Sequence, residues 1–373
     1  VEIFKDFKVL ELASVLAGPS VGQFFAELGA EVIKVENPTT YGDVTRSWKV
    51  SGEKTDDRSA YFCSVNWGKK SIALDLHVEE DLVIVKKLAL RADLIIASYK
   101  PGDAEKLGVD YQTLSQSNPG VIYAQVSGYG WDNARVGYDA VIQAEAGFMS
   151  MNGEVDGASL KMPVALMDLL AGHQLKEGIL LALLEKSRTG RGKHVAVSLI
   201  ESAVASLANQ ATNWLVAGKL PKKQGSSHPN IAPYGDVFKS KDEREILLAV
   251  GSDRQFADLC EIIGVREIAF EERFKKNASR VENRLELNTI LQSGIGSLGA
   301  DELMVKINTK KIPAGVIQTM DKVFEMHEVL GMIMTHGQLK GVRTMVVDGI
   351  DRNTSLLPPP KLDEHSDEVR ALI

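Results

Sequence analysis

Short, densely apolar runs alternate with amphipathic stretches through the first third of the chain. Residues 7–14 (FKVLELAS) and 31–36 (EVIKVE) are rich in Val, Leu and Ile over lengths that predict buried strands. Between them, AGPSVGQFFAELGA has Pro19 near a helix start and Gly29 at its end. Strand, small-residue turn, helix and strand within roughly 35 residues is a βαβ unit, which implies a parallel sheet. The pattern recurs: KKSIALDL, DLIIASY and VIYAQVSGYG read as strands, EEDLVIVKKLALRA as an amphipathic helix, and DAEKLGVDYQTLSQSNP as helical. A doubly wound α/β domain follows, with ligands expected outside the carboxyl ends of its strands.

Beyond it the period lengthens. Residues 168–189, closed by Gly190, and roughly 198–218 predict two long helices. KLPKKQGSSHPNIAPYG then has the Pro, Gly, Ser and Lys content of a linker or binding loop. A smaller unit follows, with strands in GDVFKS and EILLAVG and helices near residues 253–263, 279–293 and 299–310. The end returns to short strands, a proline tract and a last helix. No internal repeat or low-complexity tract is visible.

Composition narrows the classes. With 373 residues, 44% hydrophobic and 25% charged, the chain has the balance of a soluble globular protein. A net charge of -7 and a pI near 5.6 speak against nucleic acid or an anionic membrane as the main partner, though a local basic patch could hold a small anion. Cys63 and Cys260 lack C-x-x-C spacing and suit reduced thiols. No signal-peptide core opens the chain and no uncharged apolar run of about 18 residues occurs. The expectation is a cytoplasmic protein, or one of the mitochondrial matrix in a eukaryote. The seven histidines show no metal spacing, so no metal site is expected.

Candidate chemistry is sparse. The first turn resembles a dinucleotide loop, but Gly18-Pro19-Ser20-Val21-Gly22 lacks G-x-G-x-x-G. Arg46, Lys69, Lys70, Lys100 and Lys106 recur at predicted loops of one half of the sheet. That favours a phosphate-bearing ligand, although each taken singly reads as a solvated surface charge. Asp168 is the strongest local oddity, a carboxylate inside VALMDLL that is costly to bury without a partner. The simplest reading is a helix N-cap; a desolvated carboxylate at a helix start is also a plausible nucleophile.

Taken together, VLELASVLAGPSVGQFFAELGAEVIKVE, GDVTRSW, NWGKKSIALDL, ADLIIASYKPGDAEKLG, GYDAVIQAEAGFMSMNG, DLLAG, TGRGKHVAVSLIES and PPPKLDEHSDEV occur in this order. They resemble the class III CoA-transferases, the CaiB/BaiF family, over essentially the whole chain. The resemblance implies a Rossmann-like large domain, a smaller inserted α+β domain and an interlocked homodimer. It divides the chain into a CoA-binding part, residues 1–205 with connecting helices to about 224, a small domain, 225–325, and a tail, 326–373, that returns to the large domain. It implies CoA and acyl-CoA as substrates exchanged with a small carboxylic acid, and no permanently bound cofactor.

The resemblance also places the catalytic aspartate on Asp168, which would carry first an acyl group and then CoA. Val15, Leu16 and Ala17 match a CoA-contacting turn, with Leu16 where some members carry glutamine. Asn37, Lys69, Lys70, Leu74, His77, Ser98, Tyr99 and Lys106 match further CoA-contacting stretches, and Tyr138 and Asp139 fall near the reacting thioester. Gly225, Ser226, Ser227 and His228 correspond to a substrate loop, and Arg46 is the cation expected to favour a dicarboxylate. An α-methylacyl-CoA racemase on the same fold is disfavoured because Tyr138 stands where those enzymes place a histidine, and a tyrosine is a poor base at neutral pH. A catalytically silent CoA-binding protein is the third reading. A short dicarboxylate such as succinate is the expected acid.

Overall fold

The computed structural model describes residues 3–351 and 356–373. The chain divides into two compact units, one of residues 1–148, 161–219 and 331–373, the other of residues 149–160 and 220–330.

The first unit is built on six parallel strands, β1 (Lys8–Leu12), β2 (Glu31–Glu36), β3 (Lys69–Ala73), β4 (Leu94–Ala97), β5 (Ile122–Ser127) and β6 (His194–Ser198), in the order β3-β2-β1-β4-β5-β6. β1 is the hinge of this order, pairing with β2 through Val9 and Val32 and with β4 through Val9 and Leu94. The strand order reverses there, which opens a crevice at the carboxyl ends of β1 and β4.

Both faces of the sheet are covered, so apolar side chains are buried on each face, and the charged strand residues Glu11, Lys34, Glu36 and Lys69 are buried with them. Val9, Val32, Ile96 and Ala124 face helix α1 (Ala17–Glu27) and the long helix Leu166–Thr189. Leu10, Ile33, Ile95 and Tyr123 face Glu79–Arg91 and the C-terminal Val369. α1 and the long helix approach closely at Gly172, where a Cβ would stand 2.7 Å from Ser20 Oγ and 3.3 Å from the Ala17 carbonyl.

Several elements differ from expectation. β6 lies between the two expected long helices, where no strand was expected. The residues expected to form one helix to 218 make two, Leu199–Ala205 and Asn209–Leu215, interrupted where Ala208 takes φ +48. Residues 103–119 likewise break into Asp103–Leu107 and Tyr111–Ser117, because Gly108 turns left-handed and Asp110 caps the second piece. Residues 149–160, read as part of the first domain, belong to the second unit.

The second unit has its own core, formed on an antiparallel sheet β7 (Tyr234–Lys239), β8 (Glu245–Ala249) and β9 (Ala314–Val316). Its helices include Asp253–Ile262, Arg284–Ile295 and Ala300–Thr309. Fully buried Arg280 ties it together, bonding Asp253 at 2.9 Å and the carbonyls of Ala232 and Phe274 at 2.8 and 3.0 Å. In the first unit, β10 (Ile333–His336) and β11 (Leu339–Val342) form a hairpin in the returning tail. Among the described residues, no helix is long and apolar enough to cross a membrane.

Candidate active site

The site grows from the turn between β1 and α1. Val15 holds φ +72, a left-handed conformation that is costly for a β-branched residue. Two anchors hold it. The Val15 N–H donates to both carboxylate oxygens of Asp43, at 3.2 and 3.3 Å, and the Ser14 N–H donates to Ser98 Oγ at 3.2 Å.

Asp43 is itself fixed by a buried ionic cluster. Lys34 Nζ lies 2.9 Å from Asp43 and 3.0 Å from Glu11, and donates to the Ala13 carbonyl at 2.7 Å. Lys69 Nζ lies 2.8 Å from the other oxygen of Glu11 and donates to the Pro19 carbonyl at 2.8 Å and Asn66 at 2.9 Å. Glu11, Lys34 and Lys69 are all completely buried. Burial works to lower Lys34, yet the carboxylates of Asp43, Glu11 and Glu36 outweigh it and raise its pKa. Burial pushes Lys69 down to about 8, Glu11 opposing and the Lys34 charge assisting. At neutral pH both lysines remain charged and the cluster is internally compensated.

Beside this, Glu36 accepts from Arg46 at 2.8 and 2.7 Å and from Ser71 Oγ at 2.6 Å. Arg46 spends its remaining donors on Asp57 and the Pro360 carbonyl, each at 3.1 Å. Arg46 is therefore not offered to a substrate, contrary to its expected role: it is a buried strut between β2 and the tail. Lys69 is likewise internal. Lys70 pairs with Glu31 and Glu368, both at 2.7 Å, and lines a depression with Lys5, Gly29 and Leu357, apart from the cavities described next.

Three cavities open around the turn. The first, about 770 Å³, lies at the carboxyl ends of β1 to β4 and collects Asn37, Leu74, His77, Ser98, Tyr99 and Lys106 from the expected CoA contacts. The second, about 300 Å³, is lined by Val15, Leu16, Ala17, Ser98, Tyr99, Tyr138 and Asp168. The third, about 780 Å³, is lined by Val15, Leu16, Tyr138, Asp139 and Asp168, together with Trp48, Tyr61, Lys161 and Arg343. Ser98 and Tyr99 are common walls of the first two, and Val15, Leu16, Tyr138 and Asp168 of the last two. Asp168 thus stands where two cavities meet.

Asp168 is not a helix cap. The N-cap of Leu166–Thr189 is Ala165, which offers no side-chain acceptor, and Asp168 lies in the first turn. The capping carboxylate comes from Asp139, which accepts the Met167 N–H at 2.8 Å and Gln143 Nε2 at 2.7 Å. Asp139 is brought there by the close approach of Gly137 to Gly128, where a Cβ on Gly137 would stand 2.6 Å from the Gly128 Cα. Asp168 itself accepts no hydrogen bond from a described residue. Burial, and then the charge of Asp139, push its carboxyl up to about 7. Tyr61 senses the same field: burial and the carboxylates of Asp168, Asp139 and Asp43 push its phenol up to about 12.

Residues 225–228 lie in the second unit, where Ser227 Oγ donates to Asp236 at 2.8 Å and Arg284 donates to the His228 carbonyl at 2.5 Å. Sequence reading missed Trp48 and Tyr61, whose rings meet edge to face at 5.1 Å, and also Lys161 and Arg343. The first pair sits in a stretch without periodicity; a lone aromatic pair there carries no signal of its own. Among the described residues no cluster of His, Cys, Asp or Glu could hold a metal ion.

A doubly wound sheet with a crevice at its switch point and a desolvated carboxylate beside it has the form of an α/β ligand-binding site. The chain belongs to CoA-transferase family III, which matches residues 4–366, and it is a transferase. It is 37% identical over 380 residues to the succinate–glutarate CoA-transferase of Agrobacterium fabrum, covering 98% of this chain and 94% of that one. It is 34% identical to the succinyl-CoA:glutarate CoA-transferase of Homo sapiens, covering 97% of this chain and 84% of that protein. The crystal structure of a CaiB/BaiF family protein from Brucella suis superposes with a TM-score of 0.90 at 38% identity, covering 99% of each chain.

Proposed function

We propose that this protein moves CoA between short dicarboxylic acids, succinate or glutarate among them, through covalent intermediates on Asp168. A carboxylate oxygen of Asp168 attacks the thioester carbon of the donor acyl-CoA. The C–S bond breaks, leaving an aspartyl–acyl anhydride and CoA thiolate. The thiolate attacks the Asp168 carbonyl and displaces the donor acid, giving an aspartyl-CoA thioester. The acceptor carboxylate then attacks that carbonyl, thiolate leaves again, and its attack on the acceptor's acyl carbon returns free Asp168. No net hydrolysis occurs, and the thioester's free energy is carried through.

The position of Asp168 carries this reading. Among the described residues it is the one carboxylate on the walls shared by the second and third cavities, so the second could hold the pantetheine thiol and the third the acyl group. The first cavity, joined through Ser98 and Tyr99, offers His77 and Lys106 to the nucleotide end. The family relatives support CoA transfer, and their names support the dicarboxylic class. Among the described residues, neither cavity that Asp168 lines has a histidine on its walls, which speaks against a racemase that needs a second base there.

A homodimer accompanies this reading. On the long helix Leu180, Leu181 and Leu184 are exposed, and Trp214, Leu215 and Val216 follow on the next elements. Apolar faces of that size suit a second copy of the chain.

The test is trapping on Asp168. Incubation with succinyl-CoA should yield a peptide containing Asp168 and carrying CoA by mass spectrometry. Asp168→Ala should still fold and bind CoA but lose turnover by at least about 10³-fold. Normal turnover in that variant would refute the mechanism.

A further inference from the structure

We infer that Arg343, seconded by Lys161, binds the far carboxylate of a dicarboxylic acyl group whose near carboxyl reacts at Asp168. The inference rests on the proposed transfer mechanism and names the residues that would set its acid specificity.

The third cavity is lined largely by apolar groups, Val15, Leu16, Trp48, Val65 and Val164 among them. A second carboxylate carried into it would be stranded without a cation. Among the described residues, Lys161 and Arg343 are the only cations on its walls. Its acids are Asp168, the reacting group, and Asp139, which already accepts from Met167 and Gln143. Arg46, the cation sequence reading would nominate, is committed to Glu36, Asp57 and Pro360.

The backbone around Arg343 is held more firmly than a surface arginine requires. Glu27, fully buried on α1, accepts from the Thr344 N–H at 2.8 Å, Thr344 Oγ1 at 3.0 Å and the Met345 N–H at 3.1 Å. Gln23 donates to the same carboxylate at 3.1 Å and reaches the Val342 carbonyl at 3.5 Å. The Arg343 N–H donates to the Met332 carbonyl at 2.8 Å. Two residues before Arg343, Gly341 lies so close to the Trp67 indole that a Cβ would stand 2.9 Å from its Cδ1. The Glu27 and Gln23 contacts register the end of β11 against α1, the helix that opens with the Val15–Leu16 turn. The guanidinium thus starts from a backbone fixed relative to Asp168. A planar donor placed in this way recognises a carboxylate through paired hydrogen bonds, whereas Lys161 supplies a point charge.

The two acid classes separate the idea from a general loss of function. With butyryl-CoA as donor, glutarate and valerate are compared as acceptors of equal carbon number. Arg343→Leu should raise the KM for glutarate about 10- to 100-fold, the loss of a charge-assisted hydrogen bond, with little change in kcat. It should leave valerate kcat/KM unchanged or improved, and Arg343→Lys should recover part of the glutarate KM. Equal losses for both acids, or no change for either, would overturn the assignment. A wild-type enzyme that uses valerate but no dicarboxylate defeats this inference and leaves the Asp168 mechanism standing. One that moves CoA between no acids at all defeats both.

Discussion

Asp43 and Asp168 are two aspartates withdrawn from water on either side of one turn, and their proton affinities move in opposite directions. Asp43 is 4% exposed, yet its carboxyl lies below the ordinary aspartate range. Burial alone would raise it, but the Lys34 ammonium and the donors of Thr45 outweigh that cost. Asp168 has no such company, and burial with a like charge at Asp139 pushes it up to about 7. Paired, a buried carboxylate becomes scaffolding. Left unpaired but not fully enclosed, it keeps its lone pairs for a substrate.

Breaking the paired side should have the larger effect on stability. Lys34→Met leaves Glu11 and Asp43 short of their shared cation inside the sheet, at a cost of about 3–5 kcal/mol in urea unfolding. It should also release the Val15 turn. An unchanged unfolding midpoint would mean that the cluster is far less tightly coupled than its geometry implies.

Neutralising the unpaired side should do the reverse. The folded-state pKa of Asp168 is raised, so its contribution to stability is complete below the unfolded value of 3.8 and declines as pH rises to about 7. Asp168→Asn should therefore be more stable than wild type at pH 8, by up to about 4 kcal/mol. At pH 5.5 the gain should shrink to about half, as paired thermal melts would reveal. A gain independent of pH would remove the desolvated charge as its cause. The smallest effect is expected at the rim: Lys106 is 75% exposed, pairs with Asp103 at 3.0 Å and lines the first cavity. Lys106→Ala should raise the KM for acyl-CoA about 3- to 10-fold, with kcat preserved.

The sheet was legible because its strands carry short apolar runs between turn signals, Val9-Leu10, Val32-Ile33 and Leu94–Ala97 among them. β6 escaped because it is an edge strand whose short apolar centre, Val195-Ala196-Val197, runs directly into the helix that begins at Leu199 with no turn signal between them. Asp168 drew attention through its apolar neighbours, but its place in the helix was misjudged. The apolar pattern gives no sign that the helix begins before it, or that its cap is supplied by Asp139, 28 residues before Met167. Arg46 and Lys69 misled for a related reason. A basic residue near a strand end reads as solvent-facing unless its buried acid is known, and Glu36 and Glu11 become visible as partners only once the strands are aligned. Arg343 left no trace at all, since it owes its place to a tail that returns to the first unit.

The left-handed Val15 has a consequence for how such an enzyme could diversify. Its shape depends on Asp43, and Asp43 on Lys34, which also bonds Glu11 of β1, so an alteration on that flank propagates into the foundations of the sheet. On the opposite flank Trp48 and Tyr61 meet ring to ring, and the end of the hairpin is held at its backbone by the single buried carboxylate of Glu27. New acid preferences should arise by redecorating that flank, while the other is inherited almost intact.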